Sequence, residues 1–123
     1  MATINPTFTR YGPGDNTVVV TWTPVTNADS AAPVSGHWGD YADRTIQISG
    51  TFDSATVVLQ GSNDDVTYAA ITDPQGNAIS KTSAAIEACI EGTLFVKPTF
   101  SGGGASQSLT VTLCMRRQRA PMG

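Results

Sequence analysis

The stretch "QSLTVTLCMR", residues 107–116, alternates apolar and polar side chains along its length. The apolar side chains occupy every second position: Leu109, Val111, Leu113 and Met115. The positions between them are mostly polar: Thr110, Thr112, Cys114 and Arg116. Because successive side chains of a β-strand point to opposite faces, this pattern predicts a strand with one face in the core and the other toward solvent.

The same alternation occurs in most of the chain. Five further segments are predicted strands: "NTVVVTWTPV" (16–25), "RTIQISG" (44–50), "SATVVLQG" (54–61), "VTYAAIT" (66–72) and "TLFVKPTF" (93–100). Segments 44–50 and 54–61 are close enough to predict an antiparallel pair, and "SGGGAS" is typical of a hairpin connection between the last two strands. Pro24 predicts an edge or a bend at the end of its strand, and Pro98 predicts an edge or a bulge.

A helical pattern occurs only in "TSAAIEACIEG", residues 82–92, where Ile86 and Ile90 share a face and Gly92 can end the helix. One or two turns are expected there. Several short strands with at most one short helix predict an all-β fold, either an antiparallel β-sandwich or a jelly-roll-like barrel.

The length of 123 residues predicts one domain. We expect an extended N-terminal arm over 1–15, a β-sandwich domain over 16–115 with an irregular loop at 26–43, and a basic tail over 116–123. Aromatic side chains of the arm and the loop are candidate anchors for a partner: Phe8, Tyr11, Trp38 and Tyr41.

The tail carries Arg116, Arg117 and Arg119. Basic residues at a chain end are more often a solubilising tail than a binding arm, although these three are also candidates for docking on an acidic neighbouring subunit. The rest of the chain has four basic against ten acidic residues. An acidic body is unsuited to displacing counterions from a duplex, so nucleic acid is not an expected direct partner.

Charged residues make up only 14% of the chain, against roughly 25% in an average soluble domain. Thr, Ser, Asn and Gln supply most of the polarity instead. Hydroxyls and amides cost less to bury than charges, which suits a protein packed among neighbours. No signal peptide and no apolar run of membrane-spanning length is visible, so we expect synthesis in the cytoplasm and no membrane partner. Cys89 and Cys114 are expected to remain thiols.

An enzyme is not expected from these residues. His37 is the sole histidine, and although Asp40 and Asp43 lie near it, no nucleophile elbow accompanies them. No Cys or His cluster has the spacing of a metal site, and no cofactor motif is present.

The acidic stretch "GSNDD", residues 61–65, has two interpretations. Asn63 and Asp65 fit the alternate ligand positions of a calcium loop, but Thr67 and Ala69 follow and no glutamate closes the loop. A turn in which Asn and Asp bond their own backbone fits better. "DPQGN", residues 73–77, predicts a second β-turn.

Aromatic side chains leave sugar binding open as an alternative function. Trp22 and Tyr68 lie on predicted strands and are favoured as core residues, whereas Trp38 and Tyr41 beside glycines are candidate stacking platforms.

The run "TVVLQGSNDDVTYAAITDPQGNAIS", followed by "LFVKPTFSGG" and a final strand, resembles small β-sandwich proteins of tailed-phage and prophage virions, some of which are capsid decoration or cement proteins. The resemblance covers roughly residues 45–115. It implies a non-enzymatic virion protein, made in the host cytoplasm, that binds the major capsid protein on the capsid surface as a dimer or trimer and bridges its subunits. A host-adhesion module and a tail or neck subunit are the alternatives.

Overall fold

The computed structural model describes residues 2–12, 14, 16–34 and 41–117. These residues form eleven β-strands and no α-helix. The strands are β1 (Thr3–Ile4), β2 (Thr7–Tyr11), β3 (Thr17–Thr26), β4 (Ser30–Ala31), β5 (Asp43–Thr51), β6 (Thr56–Ser62), β7 (Ala69–Ala70), β8 (Ser80–Lys81), β9 (Ala85–Cys89), β10 (Phe95–Ser101) and β11 (Ser108–Arg116). The predicted all-β class is therefore confirmed. The described residues contain no helix of the length and apolarity needed to cross a bilayer.

The larger sheet has five antiparallel strands in the order β2-β3-β11-β5-β9. Its centre is β11, which pairs with β3 on one side and with β5 on the other. The inward side chains of these three strands are buried, as their alternation predicts. Pro24 lies where the pairing of β3 with β11 shifts by one residue, so the predicted bend is a β-bulge.

The smaller sheet is built on β6, which pairs with β10 along one edge and with β7 and β8 along the other. Pro98 lies in β10, an outer strand of this sheet, in agreement with its predicted edge position. The predicted strand 66–72 is shorter in the structure: Val66 and Thr67 belong to a turn, Ala69–Ala70 pairs with β6, and Thr72 forms a bridge with Ala78. A short parallel pair, β1 with β4, completes the described strands.

Apolar side chains from both sheets meet in one core. The fully buried members with the largest side chains are Trp22, Ile46, Ile48, Leu59, Ile71, Ile79, Leu109, Leu113 and Met115. Trp22 is a core residue, as favoured from its alternation, and its Nε1 donates a 2.8 Å hydrogen bond to the carbonyl oxygen of Ala32. Two antiparallel sheets around a shared core form a β-sandwich.

Two predicted hairpins are wrong, because both connections cross between the sheets. β5 and β6 belong to different sheets, as do β10 and β11. The first crossing is a tight turn in which Asp53 and Ser54 have positive φ and the amide of Ala55 donates to the Phe52 carbonyl at 2.8 Å. Phe52 packs on the core and Ala55 is buried, so the chain continues across the core instead of returning along its own sheet.

The predicted helix at 82–92 is also wrong. Ala85–Cys89 forms β9 at the edge of the larger sheet, paired with β5. Ile86 and Ile90 are four residues apart, a spacing that puts two side chains on one face of a strand as well as of a helix. The free edge of β5 supplies hydrogen-bond partners that a short isolated helix lacks.

The N-terminal segment is not a free arm. Residues 7–11 pair with β3 as an edge strand, and Thr3 and Ile4 pair with β4. The segment is extended, as predicted, but its β-prone sequence "TFTRY" pairs within its own chain. In the predicted loop 26–43, β4 and a bridge between Val34 and Val96 bring part of the chain onto the sandwich.

We expect Trp22→Phe to lower the free energy of unfolding by about 2–3 kcal/mol, measured by urea denaturation followed by circular dichroism. The smaller ring leaves a cavity, and the Ala32 carbonyl loses its donor. Ile86→Val, at an exposed edge position, is the control and should change stability by no more than about 0.5 kcal/mol. Equal effects of the two substitutions would contradict this account of the core.

Candidate interaction surface

A row of four side chains crosses the larger sheet near one end. The strand register places Tyr11 opposite Thr17, Thr17 opposite Arg116, and Arg116 opposite Asp43. Directly opposed residues of antiparallel strands share a face, with Cβ atoms about 5 Å apart. Tyr11 is 53% exposed and Arg116 is exposed as well. The structure thus brings two of the predicted anchor residues onto the same face of the sheet.

The same outward face extends from this row along β3, β5 and β11, and we call it the hydroxyl face. Its side chains are uncharged: Thr17, Val19, Thr21, Thr23, Thr45, Gln47, Ser49, Thr110, Thr112 and Cys114. All of them are half-buried or exposed. Thr112 lies at its middle, opposite Thr21 on one neighbouring strand and Gln47 on the other. Asp43 and Arg116 supply charge only at one end.

Phe8 lies beside this surface and not on it. Its register partner is Val20, an inward residue of β3, so Phe8 is on the core side of the sheet at the outer edge. The ring is 40% exposed because β2 is the last strand. Phe8 therefore belongs to the sheet edge, where the sequence predicted an anchor on an extended arm.

Tyr41 is not an exposed anchor, which corrects the sequence prediction. Its side chain is 6% exposed and belongs to the core. The guanidinium carbon of Arg117 lies 5.3 Å from the centre of its ring, a cation–π contact. Arg117 also donates to the Gly14 carbonyl at 2.6 Å, and its amide donates to the Asn16 carbonyl at 3.0 Å. The pair fastens the end of β11 to neighbouring segments of the same chain.

Two predicted anchors, Trp38 and Arg119, lie outside the described residues, as do His37 and Asp40.

Tyr41 is positioned in part by Arg44, whose Nε donates to the Tyr41 carbonyl at 2.8 Å and whose Nη1 donates to the Thr93 carbonyl at 2.7 Å. Burial lowers the pKa of Arg44 from its ordinary value.

Three apolar side chains, on the turns and beside β9, have an exposure that the sequence did not predict. Val66 is 81% exposed, Ile90 56% and Leu94 40%. Val66 and Leu94 belong to neighbouring segments, since the Leu94 amide donates to Asn63 Oδ1 at 3.0 Å. Exposure of Val66 follows from the turn that replaces the first half of its predicted strand. The signal in the sequence is Asp64, whose side chain organises a turn that extends to Val66 and Thr67.

The "GSNDD" stretch is a turn organised by Asp64. The Oδ1 atom of Asp64 accepts hydrogen bonds from the amides of Val66 and Thr67, both at 2.9 Å, and from Ser62 Oγ at 2.8 Å. Those backbone bonds, followed by the Ser62 bond, lower the pKa of Asp64 to about 2. Asp65 has a φ of 61°, so the predicted turn with positive φ is confirmed.

The second predicted turn is also confirmed. The Gly76 amide donates to the Asp73 carbonyl at 2.9 Å, and Asp73 Oδ1 accepts from the amides of Gln75 and Asn77 at 3.0 Å each. Asp64 and Asp73 therefore bind their own backbone, whereas Asp65 accepts from the Tyr68 hydroxyl. Among the described residues, no three His, Cys, Asp or Glu side chains are grouped to hold a metal ion.

Tyr68 is half-buried and lies outside the core. Its hydroxyl donates to Asp65 Oδ1, and the Lys97 Nζ lies 4.3 Å from its ring centre. Burial and then the Asp65 hydrogen bond raise the pKa of Tyr68, so the phenol stays protonated. Because Asp65 binds its hydroxyl and Lys97 lies over its ring, Tyr68 helps to hold the turn in place.

No protein-family model matches this sequence, and no curated protein matches it. Among solved structures, the fold is similar to the crystal structure of the SPBc2 prophage-derived protein YomS. The TM-score is 0.54 at 11% sequence identity, over 80% of this chain and 93% of that chain. At this identity the likeness shows a shared fold alone.

We expect the Asp64 carboxyl to titrate with a midpoint near pH 2, measured by NMR from its carboxyl carbon and from the Val66 and Thr67 amide shifts. Because the folded pKa lies below the ordinary value of 3.8, the turn is stabilised above about pH 4 and loses this contribution as pH falls toward 2.

Asp64→Asn keeps the size of the side chain and removes the charge. In this variant the Val66 and Thr67 amide shifts should lose their transition near pH 2. A midpoint close to 3.8 in the wild-type protein would show that the two amides do not hold the carboxylate.

Proposed function

We propose that this chain is a structural protein of a tailed-phage or prophage virion that binds the outside of the capsid and stabilises it. The hydroxyl face contacts the major capsid protein and bridges neighbouring subunits. The chain acts as a binding protein, without catalysis, cofactor or metal.

The observation that carries the proposal is the absence of charge on the described side chains of the hydroxyl face. A solvent-facing sheet surface ordinarily mixes charged side chains with polar ones. Burying a charge against a partner costs far more than burying a hydroxyl that finds a hydrogen-bond partner. A broad face of threonines, with Val19 and Cys114 among them, is therefore suited to being covered.

Tyr11 and Arg116 give this face a border suited to recognition. Tyrosine and arginine are the residue types that most often dominate binding energy at interfaces. They lie on the same row, with Thr17 between them. Arg116 can pair with an acceptor on the capsid subunit while the tyrosine ring covers apolar surface.

Repetition compensates for a weak single contact. An icosahedral shell offers many identical sites, and a dimer or trimer of this chain engages several of them together, so the linked contacts add as avidity. The resemblance in sequence to decoration proteins and the fold shared with a prophage-derived protein support the virion assignment.

The test uses particles of the phage or prophage that encodes the chain. We expect the wild-type protein to rebind to particles from which it has been stripped, and Thr112→Lys to bind at least tenfold more weakly, measured by co-sedimentation and gel densitometry. The lysine places a charge at the middle of the hydroxyl face, where it would be desolvated.

Thr82→Lys makes the same substitution at an exposed turn position and should bind like the wild type. Thermal unfolding of both variants verifies the fold. Deleting residues 2–15 is unsuitable because it removes β1 and β2. Wild-type affinity of Thr112→Lys would overturn the role of the face, and density for the protein at the tail would assign it to the tail or neck.

A further inference from the structure

A second surface feature lies at the end of the sandwich opposite the Tyr11–Asp43 row. It is a cleft of about 380 Å³ between the turn that follows β3 and the crossing from β10 to β11. The side chains that matter for its chemistry are Asn27, Asp29, Ser30, Phe100, Ser101 and Gln107. The volume is at the lower end of the roughly 300–1,000 Å³ typical of small-ligand sites.

Gln107 presents an acceptor to this cleft. The residue is only 4% exposed, and its Nε2 donates to the Val25 carbonyl at 3.2 Å, which fixes the orientation of the amide. Its Oε1 accepts no hydrogen bond from the residues that the structure describes. A Cβ on Gly103 would lie 1.7 Å from this oxygen, so only glycine leaves room for it.

Asp29 supplies a second acceptor whose position is fixed. Its Oδ2 accepts from the hydroxyl and the amide of Thr26, at 2.6 and 3.0 Å, and its Oδ1 accepts from the Ala2 amide at 3.1 Å. The Thr26 side-chain bond is the main cause of the lowered pKa of Asp29, so the group is a carboxylate at neutral pH. Its oxygens retain lone pairs for a further donor.

Phe100 gives the cleft an apolar wall. It is half-buried against the core and contributes to the lining, with hydroxyls of Ser30 and Ser101 nearby. The lining contains no lysine or arginine among its described residues, and Asp29 repels anions. A ligand that fits this lining has hydroxyl donors on its rim, an apolar patch and no negative charge.

We propose that this cleft is a binding site for one neutral sugar ring of a saccharide. A pyranose has C–H groups that pack on an aromatic ring and hydroxyls that donate to fixed acceptors, here Gln107 Oε1 and the Asp29 carboxylate. The site is distinct from the hydroxyl face, and its existence does not depend on capsid binding.

The experiment titrates the isolated full-length chain, labelled with ¹⁵N, with glucose, galactose, mannose, rhamnose and N-acetylglucosamine, and follows amide shifts by NMR. We expect at least one sugar to bind with a Kd of about 1 mM, a weak affinity that is typical of a small, exposed site. Shifts should be confined to the residues around the cleft. Lysine amide serves as a cationic probe that tests whether Asp29 alone attracts ligands.

Ser101→Trp and Ser30→Trp fill the cleft from its two walls, starting from exposed positions, and each should weaken sugar binding at least tenfold. Ser83→Trp is the matched control at an exposed position away from the cleft and should bind like the wild type. If no sugar shifts the amide signals at a concentration of about 50 mM, which is 50 times the expected Kd of about 1 mM, the proposal is overturned, since the cleft then holds only water. Binding of lysine amide alone, or sugar shifts outside the cleft, would overturn it equally.

Discussion

Pairing of β11 with a long strand on each side is the constraint on which the rest of the molecule depends. Every inward residue of β11 is fully buried, and a shift of one residue would expose all of them. The register with β3 and β5 is therefore strongly specified. The same register fixes the outward face, because the core alternation leaves the threonines of all three strands on the other side. Core and hydroxyl face are two consequences of one pairing.

Local pattern was sufficient to find β3, β5 and β11 because a strict period of two over seven or more residues has no helical equivalent. It failed at Ile86 and Ile90, whose spacing of four fits both periods. It also failed at the two connections between sheets, since the turn at Asp53 and Ser54 has the short length and positive φ of a hairpin. Which sheet a strand joins depends on where Phe52 and Ala55 are buried, and that is a non-local property.

The candidate surface was predictable by residue type and not by position. Tyr11 and Arg116 are 105 residues apart in sequence and meet only through their shared partner Thr17. Tyr41 and Tyr11 look alike in the sequence, since each is an aromatic residue near a glycine. In the structure, however, the Tyr41 ring is buried beside Arg117. The polarity of the hydroxyl face was visible in the low content of charge, whereas its continuity required the register.

Two aspartates hold the turns at the cleft end of the sandwich. The Asp29 carboxylate accepts from Thr26 and from the Ala2 amide. The Asp53 carboxylate accepts from the Ser106 amide at 2.8 Å, and the Asp53 backbone carbonyl accepts from the Gly104 amide at 3.0 Å, so hydrogen bonds hold the segments on both sides of the cleft. Binding to such a preformed site does not require a loop to become ordered, which removes one of the main costs of association. Because the bond to Thr26 holds Asp29 and the bond to Val25 holds Gln107, the proposed site offers a sugar ring acceptors whose positions are set before binding.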